Sequence, residues 1–125
     1  MINKWLTLQA SSTILTTLDD VKNLLTHPAF DIKNPNNVYA LLVTFGDNTL
    51  RFNDASGMGY QFIREQVEKL DLQNPQVAAR VVQPLTRWKQ IDSVRGILMK
   101  EQLETLAEKK NLSSNLVEIV TKSLV

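Results

Sequence analysis

Few side chains in this sequence are of the types that do chemistry. There is one histidine, His27, and no cysteine. His27 precedes Pro28 and has no carboxylate at metal-ligand spacing beside it, so it reads as a helix-end or surface residue. No H-E-x-x-H pair is present, and a helical zinc-peptidase site needs two imidazoles one turn apart. Without cysteine there is no thiol nucleophile and no Cys-type zinc site. Carboxylates cluster as Asp19 with Asp20, Glu65 with Glu68, and Glu101, Glu104 and Glu108 at i, i+3, i+7. On amphipathic helices such groups form solvated faces. Ser56-Gly57-Met58-Gly59 is a short glycine loop, but a phosphate cradle needs a strand before it, and none is indicated.

Charge is uneven. The chain carries 14 Lys and Arg against 13 Asp and Glu, a formal net charge of +1. Residues 80–100 concentrate Arg80, Arg87, Lys89, Arg95 and Lys100 against Asp92 alone, a local net of +4. A basic stripe can bind anions or nucleic acid. Trp88 is the only aromatic residue within it, too few for base-stacking platforms. The stripe therefore reads as a solvated or interdomain face, and no nucleic-acid partner is expected.

These residues must be positioned by helices. Leu18, Val21, Leu24 and Leu25 share a face over 17–26, with Thr17 and Asp20 resembling a capping box and His27-Pro28 as the stop. A short helix precedes it, with Trp5, Leu6 and Leu8 as its apolar positions. Asn34-Pro35-Asn36 reads as a helix start, with asparagine capping and proline at the first helical position. The helix 35–45 follows, burying Val38, Leu41, Leu42 and Phe45, and Gly46 stands where a left-handed terminus is expected. Asp47 to Gly59 reads as a loop, with Thr49 to Phe52 as its one candidate extended stretch. Further helices are predicted over 60–70, with Phe62, Ile63, Val67 and Leu70 inward, and over 75–88, breaking or kinking at Pro84. The last two span 92–109, capped by Asp92 and carrying Val94, Ile97, Leu98, Leu103, Leu106 and Ala107, and 114–124, capped by Ser113 or Ser114. No segment alternates with period two.

An internal repeat organises these elements. Phe30-Asp31-Ile32-Lys33-Asn34-Pro35-Asn36 aligns without gaps on Leu70-Asp71-Leu72-Gln73-Asn74-Pro75-Gln76, an offset of 40 residues. Downstream, Leu41, Leu42 and Phe45 pair with Val81, Val82 and Leu85. A period near 40 is that of HEAT or armadillo helical pairs, each of which must stack on a neighbour to cover its apolar face. The fold expected is all-α, an αα-superhelix of stacked HEAT/armadillo-like pairs: 17–26 with 35–45, 60–70 with 75–88, 92–109 with 114–124. The 125 residues and 43% apolar content suit a single domain over 1–125. No apolar run approaches the roughly 20 residues of a membrane span, and no signal stretch opens the chain, so no membrane partner and a cytoplasmic setting are expected. The opening on Ile2, Trp5 and Leu6 lacks a polar cap, which leads to the expectation that more polypeptide precedes it.

The series Asn34-Pro35-Asn36, Phe52 with Gly57-Met58-Gly59-Tyr60, Asn74-Pro75-Gln76-Val77-Ala78-Ala79-Arg80 and Pro84-Leu85-Thr86-Arg87-Trp88 resembles the extreme C-terminus of the bacterial aminopeptidase N family, the alanyl aminopeptidases among zinc metallopeptidases. The opening Lys4-Trp5-Leu6-Thr7-Leu8-Gln9-Ala10 and the ending Thr121-Lys122-Ser123-Leu124-Val125 resemble it too, so the likeness covers essentially the whole chain.

The resemblance implies a non-catalytic C-terminal domain of a larger zinc-dependent aminopeptidase. In that family an upstream catalytic domain of the same polypeptide holds the zinc and removes N-terminal residues from peptides. The helical domain encloses the active-site cavity and controls substrate access. This chain alone is then no enzyme and needs no cofactor of its own. By the same resemblance Arg80 is a candidate to face the cavity and attract a peptide's C-terminal carboxylate, the other reading being a pair with an acid on a neighbouring helix. Relatives commonly read F-H-A-x-D-G-S-G-Y in the glycine loop. Here Asn53 replaces the histidine and Ser56 the aspartate, while Gly57, Gly59 and Tyr60 remain as loop candidates. Asn37 and Tyr39 stand where close relatives often carry basic residues, which argues against a second basic channel site. The alternative function is an independent helical-repeat scaffold that binds a protein partner.

Overall fold

The structure is a computed structural model that describes residues 2–12, 17–28, 30–48, 52–53, 57–109 and 112–124. All regular structure among these residues is helical: α1 (Ile2–Ala10), α2 (Thr17–Leu24), α3 (Pro35–Val38), a π-helical stretch (Tyr39–Val43), α4 (Thr44–Asp47), α5 (Met58–Asp71), α6 (Pro75–Val81), a 3-10 segment (Gln83–Gln90), α7 (Ser93–Ala107) and α8 (Ser114–Leu124). They fall into two compact units, Met1–Asp54 and Ala55–Val125.

In the first unit α1 is the hub. It packs on α2 and on the continuous helical run formed by α3, the π stretch and α4. The expected pairing of 17–26 directly with 35–45 is thus replaced by packing through α1. Leu6 and Ala10, four residues apart, form the buried stripe of α1, while Trp5 and Leu8 are exposed. Polar contacts fix the register. The Asn37 amide donates to Asn3 Oδ1 at 2.9 Å, and the Asn48 amide donates to the carbonyls of Ala10 and Ser12 at 3.0 and 2.7 Å. Asn37 is buried and also accepts from the Asp31 N–H, which gives it a packing role within this unit.

Several local expectations change here. Thr17 is the first helical residue of α2, not the cap before it, and its hydroxyl donates to the Ser12 carbonyl. α2 stops at Leu24 and continues as turns to His27. Gly46 is buried inside α4, and no positive φ occurs there; the helix runs to Asp47 and ends at Asn48. Phe52 is helical and buried, its N–H donating to the Asn48 carbonyl at 2.8 Å, so it is not extended. Thr49 to Arg51 lie outside the described residues.

In the second unit α5 packs on α6 and α7, α6 on α8, and α7 on both α8 and the 3-10 segment. The predicted break at Pro84 is present: α6 ends at Val81 and the chain tightens into 3-10 geometry. Phe62, Ile63, Val67 and Leu70 are buried as expected. The face of α7 is the expected one only at Leu103 and Leu106, which are buried. Gly96, Met99, Leu103 and Leu106 turn inward, while Val94 and Ile97 are 68% and 58% exposed. The cause is Gly96. A Cβ there would sit 2.7 Å from the Trp88 carbonyl oxygen, so this is the face on which backbone meets backbone.

The repeat is physical. Asn34 and Asn74 both cap their helices through the side-chain oxygen, accepting from Asn36 N–H at 3.0 Å and from Val77 N–H at 3.4 Å. Leu41, Leu42 and Phe45, like Val81, Val82 and Leu85, are fully buried.

Candidate functional site

The residues singled out in the glycine loop divide between the two units. Asn53 is a half-buried turn residue of the first, and Asp54 to Ser56 lie outside the described residues. Gly57, Gly59 and Tyr60 come together at the start of α5. Gly57 is the N-cap, with φ 75°, and it is the one positive-φ position among the described residues. Its backbone leaves the helix in a left-handed turn that an L side chain resists. A Cβ there would also lie 3.3 Å from Leu98 Cδ1 on α7. Gly59 and Tyr60 are buried in the first turn.

Tyr60 is fully buried, and burial pushes its hydroxyl up to about 12. The Arg95 guanidinium works against that shift and the Asp92 carboxylate adds to it. The phenol therefore stays protonated at neutral pH. It can donate a hydrogen bond but cannot act as a base there. Asp92 caps α7 by accepting from Arg95 N–H at 3.1 Å, and it pairs with the Arg95 side chain at 3.0 Å. Those contacts from Arg95 hold its carboxyl below the usual carboxylate value. This corner is built for packing: a glycine turn, a buried phenol and a capped helix start.

Arg80 lies in the last turn of α6 and is exposed. Nothing in the geometry assigns it to the glycine corner. His27 is exposed, with its ring 5.1 Å from that of Trp5. The acidic groups are not all merely solvated. Glu101, Glu104 and Glu108 are exposed as expected. Glu68, however, is half-buried and links to Arg64 within α5 and to Lys109 at 3.7 Å. Arg64 also donates to Gln102 Oε1 at 2.6 Å. Among the described residues no group of three His, Cys, Asp or Glu side chains gathers to hold a metal ion. No described helix is long and apolar enough to cross a membrane.

Sequence reasoning missed the surroundings of Trp88. The indole Nε1–H donates to the Ser123 carbonyl at 2.9 Å, which fixes the ring. The ammonium groups of Lys89 and Lys100 stand 5.3 and 5.1 Å from its centroid. Beside it lies a hollow of about 360 Å³ lined by Trp88, Lys89, Ile91, Ser93, Gly96 and Ile97. The available signal was Gly96 inside an otherwise good helix, since a helical glycine often marks a close approach.

Helix pairs with capped Asn-Pro starts, repeating at 40 residues, define an all-helical repeat module of the armadillo class. A family model described as "Domain of unknown function (DUF3458_C) ARM repeats" matches residues 1–125. The chain belongs to this family, the C-terminal helical-repeat domain of aminopeptidase N. It is similar to aminopeptidase N of Escherichia coli (strain K12), 40% identical, of Caulobacter vibrioides, 39%, and of Haemophilus influenzae, 38%, each over 125 residues. These matches cover 99% of this chain and 14% of each relative. The crystal structure of Legionella pneumophila aminopeptidase A in complex with aspartic acid is similar with a TM-score of 0.93 and 33% identity. That match covers 98% of this chain and 14% of that one.

Proposed function

We propose that this chain serves as the non-catalytic C-terminal domain of a zinc-dependent, cytoplasmic aminopeptidase. In this reading it encloses the active-site cavity and controls which peptides enter. The carrying observation is the near-complete match to aminopeptidases of which it spans only 14%. Residues 1–125 would act as one domain of a larger polypeptide, with the upstream catalytic domain as partner and peptides as substrates. The zinc would belong to that catalytic domain. Helix pairs fit such a role, because stacked repeats present an extended, shape-holding surface. Arg80 would supply a positive charge toward a peptide's C-terminal carboxylate, a charge-assisted contact. Asn53, Gly57, Gly59 and Tyr60 would shape the glycine loop.

Complementation tests this. A matched aminopeptidase N truncated before the corresponding segment is mixed with this chain, and alanine-anilide turnover and co-elution are measured. Restored or altered turnover with co-elution is expected. Absence of both association and effect would overturn the reading in favour of an independent protein-binding scaffold.

A further inference from the structure

α7 has a second long face. Val94, Ile97, Glu101, Glu104 and Glu108 fall at i, i+3, i+7, i+10 and i+14, the spacing of a coiled-coil seam. All five are exposed. They lie on the side of the helix opposite Gly96, Met99, Leu103 and Leu106, which turn inward. Glu108 continues the stripe as the C-cap: its backbone is still helical and its N–H donates to the Glu104 carbonyl at 3.2 Å.

The stripe is divided by chemistry. Its N-terminal end is aliphatic, with Val94 and Ile97 largely exposed. Ile97 and Ile91 also wall the hollow of about 360 Å³, so a partner's side chain has a recess to enter at this end. Exposed aliphatic surface of this kind gains free energy when covered. The C-terminal end is acidic. None of the carboxylates of Glu101, Glu104 and Glu108 is in an ion pair with a described residue. Lys100 holds its ammonium 5.1 Å from the centroid of the Trp88 ring, and Lys109 pairs with Glu68. Like charges three and four residues apart repel, and these three sit toward the negative end of the helix dipole. Cations laid along this end would relieve both effects.

We propose that the outward stripe of α7 docks an antiparallel amphipathic helix of a partner protein, with aliphatic residues over Val94 and Ile97 and Lys or Arg over Glu101, Glu104 and Glu108. The antiparallel direction follows from the dipoles, since it brings the partner's positive N-terminal end to the three carboxylates. A second copy of α7 does not fit. Laid antiparallel in the same register, it would set Glu108 on Val94 and Glu104 on Ile97. An anionic membrane surface would be repelled by the acidic end.

The probe is the end-blocked peptide acetyl-Ala-Lys-Ala-Gln-Ala-Lys-Ala-Gln-Lys-Ala-Gln-Ala-Leu-Ala-Gln-Leu-Ala-amide, whose lysines and leucines have the matching spacing. It is titrated into this chain by calorimetry and compared with an analogue carrying Glu for each Lys. Saturable binding of the Lys peptide is expected, with the Glu peptide about tenfold weaker or worse. Ile97→Gln should weaken the Lys peptide by a similar factor while leaving the melting temperature unchanged, since Ile97 is exposed. Changing Glu101, Glu104 and Glu108 together to Lys should reverse the preference between the two peptides. Equal binding of the two peptides to the native chain, an unaffected Ile97→Gln variant, an unreversed preference or the absence of saturable heat would each overturn the proposal. Displacement of the peptide by the truncated aminopeptidase of the complementation test would also overturn it, by giving the stripe to the catalytic domain while leaving the access-controlling role intact.

Discussion

At the scale of the residue, Gly96 is the position where intuition about helices gives the wrong sign. Replacing a helix-interior glycine by alanine ordinarily gains about 1 kcal/mol. At Gly96 the added Cβ meets a backbone oxygen at 2.7 Å, which no side-chain rotation can relieve. Gly96→Ala is expected to destabilise the chain by about 1–3 kcal/mol in urea unfolding, with Trp88 emission shifted in the native baseline. Tyr60 gives a pH prediction. Its folded value, about 12, lies above the ordinary 10.0, so the native state favours the protonated phenol. The associated stability is fully present below pH 10 and declines as pH rises from 10 toward about 12. Titrating tyrosinate absorbance should show a late step that Tyr60→Phe removes. Tyr60 was legible as a member of the glycine loop, but its complete burial was not. Burial there depends on α7, a helix that begins more than thirty residues later.

At the scale of the element, capping residues did most of the positioning, and most of them could be read from residue type. Asn34, Asn74 and Asp92 cap as expected because a short side-chain oxygen before a helical run has few other uses. Ser113 does more. Its hydroxyl accepts from Leu116 N–H at 3.3 Å and donates to Asp71 Oδ1 at 2.6 Å, while its N–H donates to Asp71 Oδ2 at 2.7 Å. The buried carboxylate at the end of α5 thus holds the start of α8. Ser113→Ala should cost about 1–3 kcal/mol in urea unfolding, because it removes a cap and strips one partner from a buried charge. Asn74→Ala should cost nearer 1 kcal/mol. The face of α7 was legible at Leu103 and Leu106 but not in its first half. Its apolar residues lie all around the helix, and the choice between Ile97 and Met99 as the inward one was made by the close approach at Gly96.

At the scale of the whole molecule, the residues alone led to an armadillo-like repeat and no further. Buried repeat positions such as Leu41 and Val81 carry packing information, and packing does not name an activity. The aminopeptidase connection came from longer strings, Asn74 to Arg80 and Pro84 to Trp88, whose exposed members are not dictated by the core. Under the proposed function the purified chain is expected to turn over no aminoacyl anilide and to bind no stoichiometric zinc by elemental analysis. Turnover that follows the chain through purification would contradict it.

The two repeats also differ in their physical length. After Asn34-Pro35 the helix widens into a π stretch of five residues, and after Asn74-Pro75 it tightens into a 3-10 segment of eight. A 3-10 segment rises about 2.0 Å per residue against about 1.5 Å for an α-helix, so eight residues reach about 4 Å further than their α-helical equivalents. Forty residues of sequence are therefore not one unit of distance in this chain. Swapping the first Asn-Pro segment for the second would keep the buried Leu41, Leu42 and Phe45 aligned on the buried Val81, Val82 and Leu85 yet carry the residues that follow to a different height along the axis. A graft between the two repeats would have to be matched in ångströms, with its length in residues adjusted to suit.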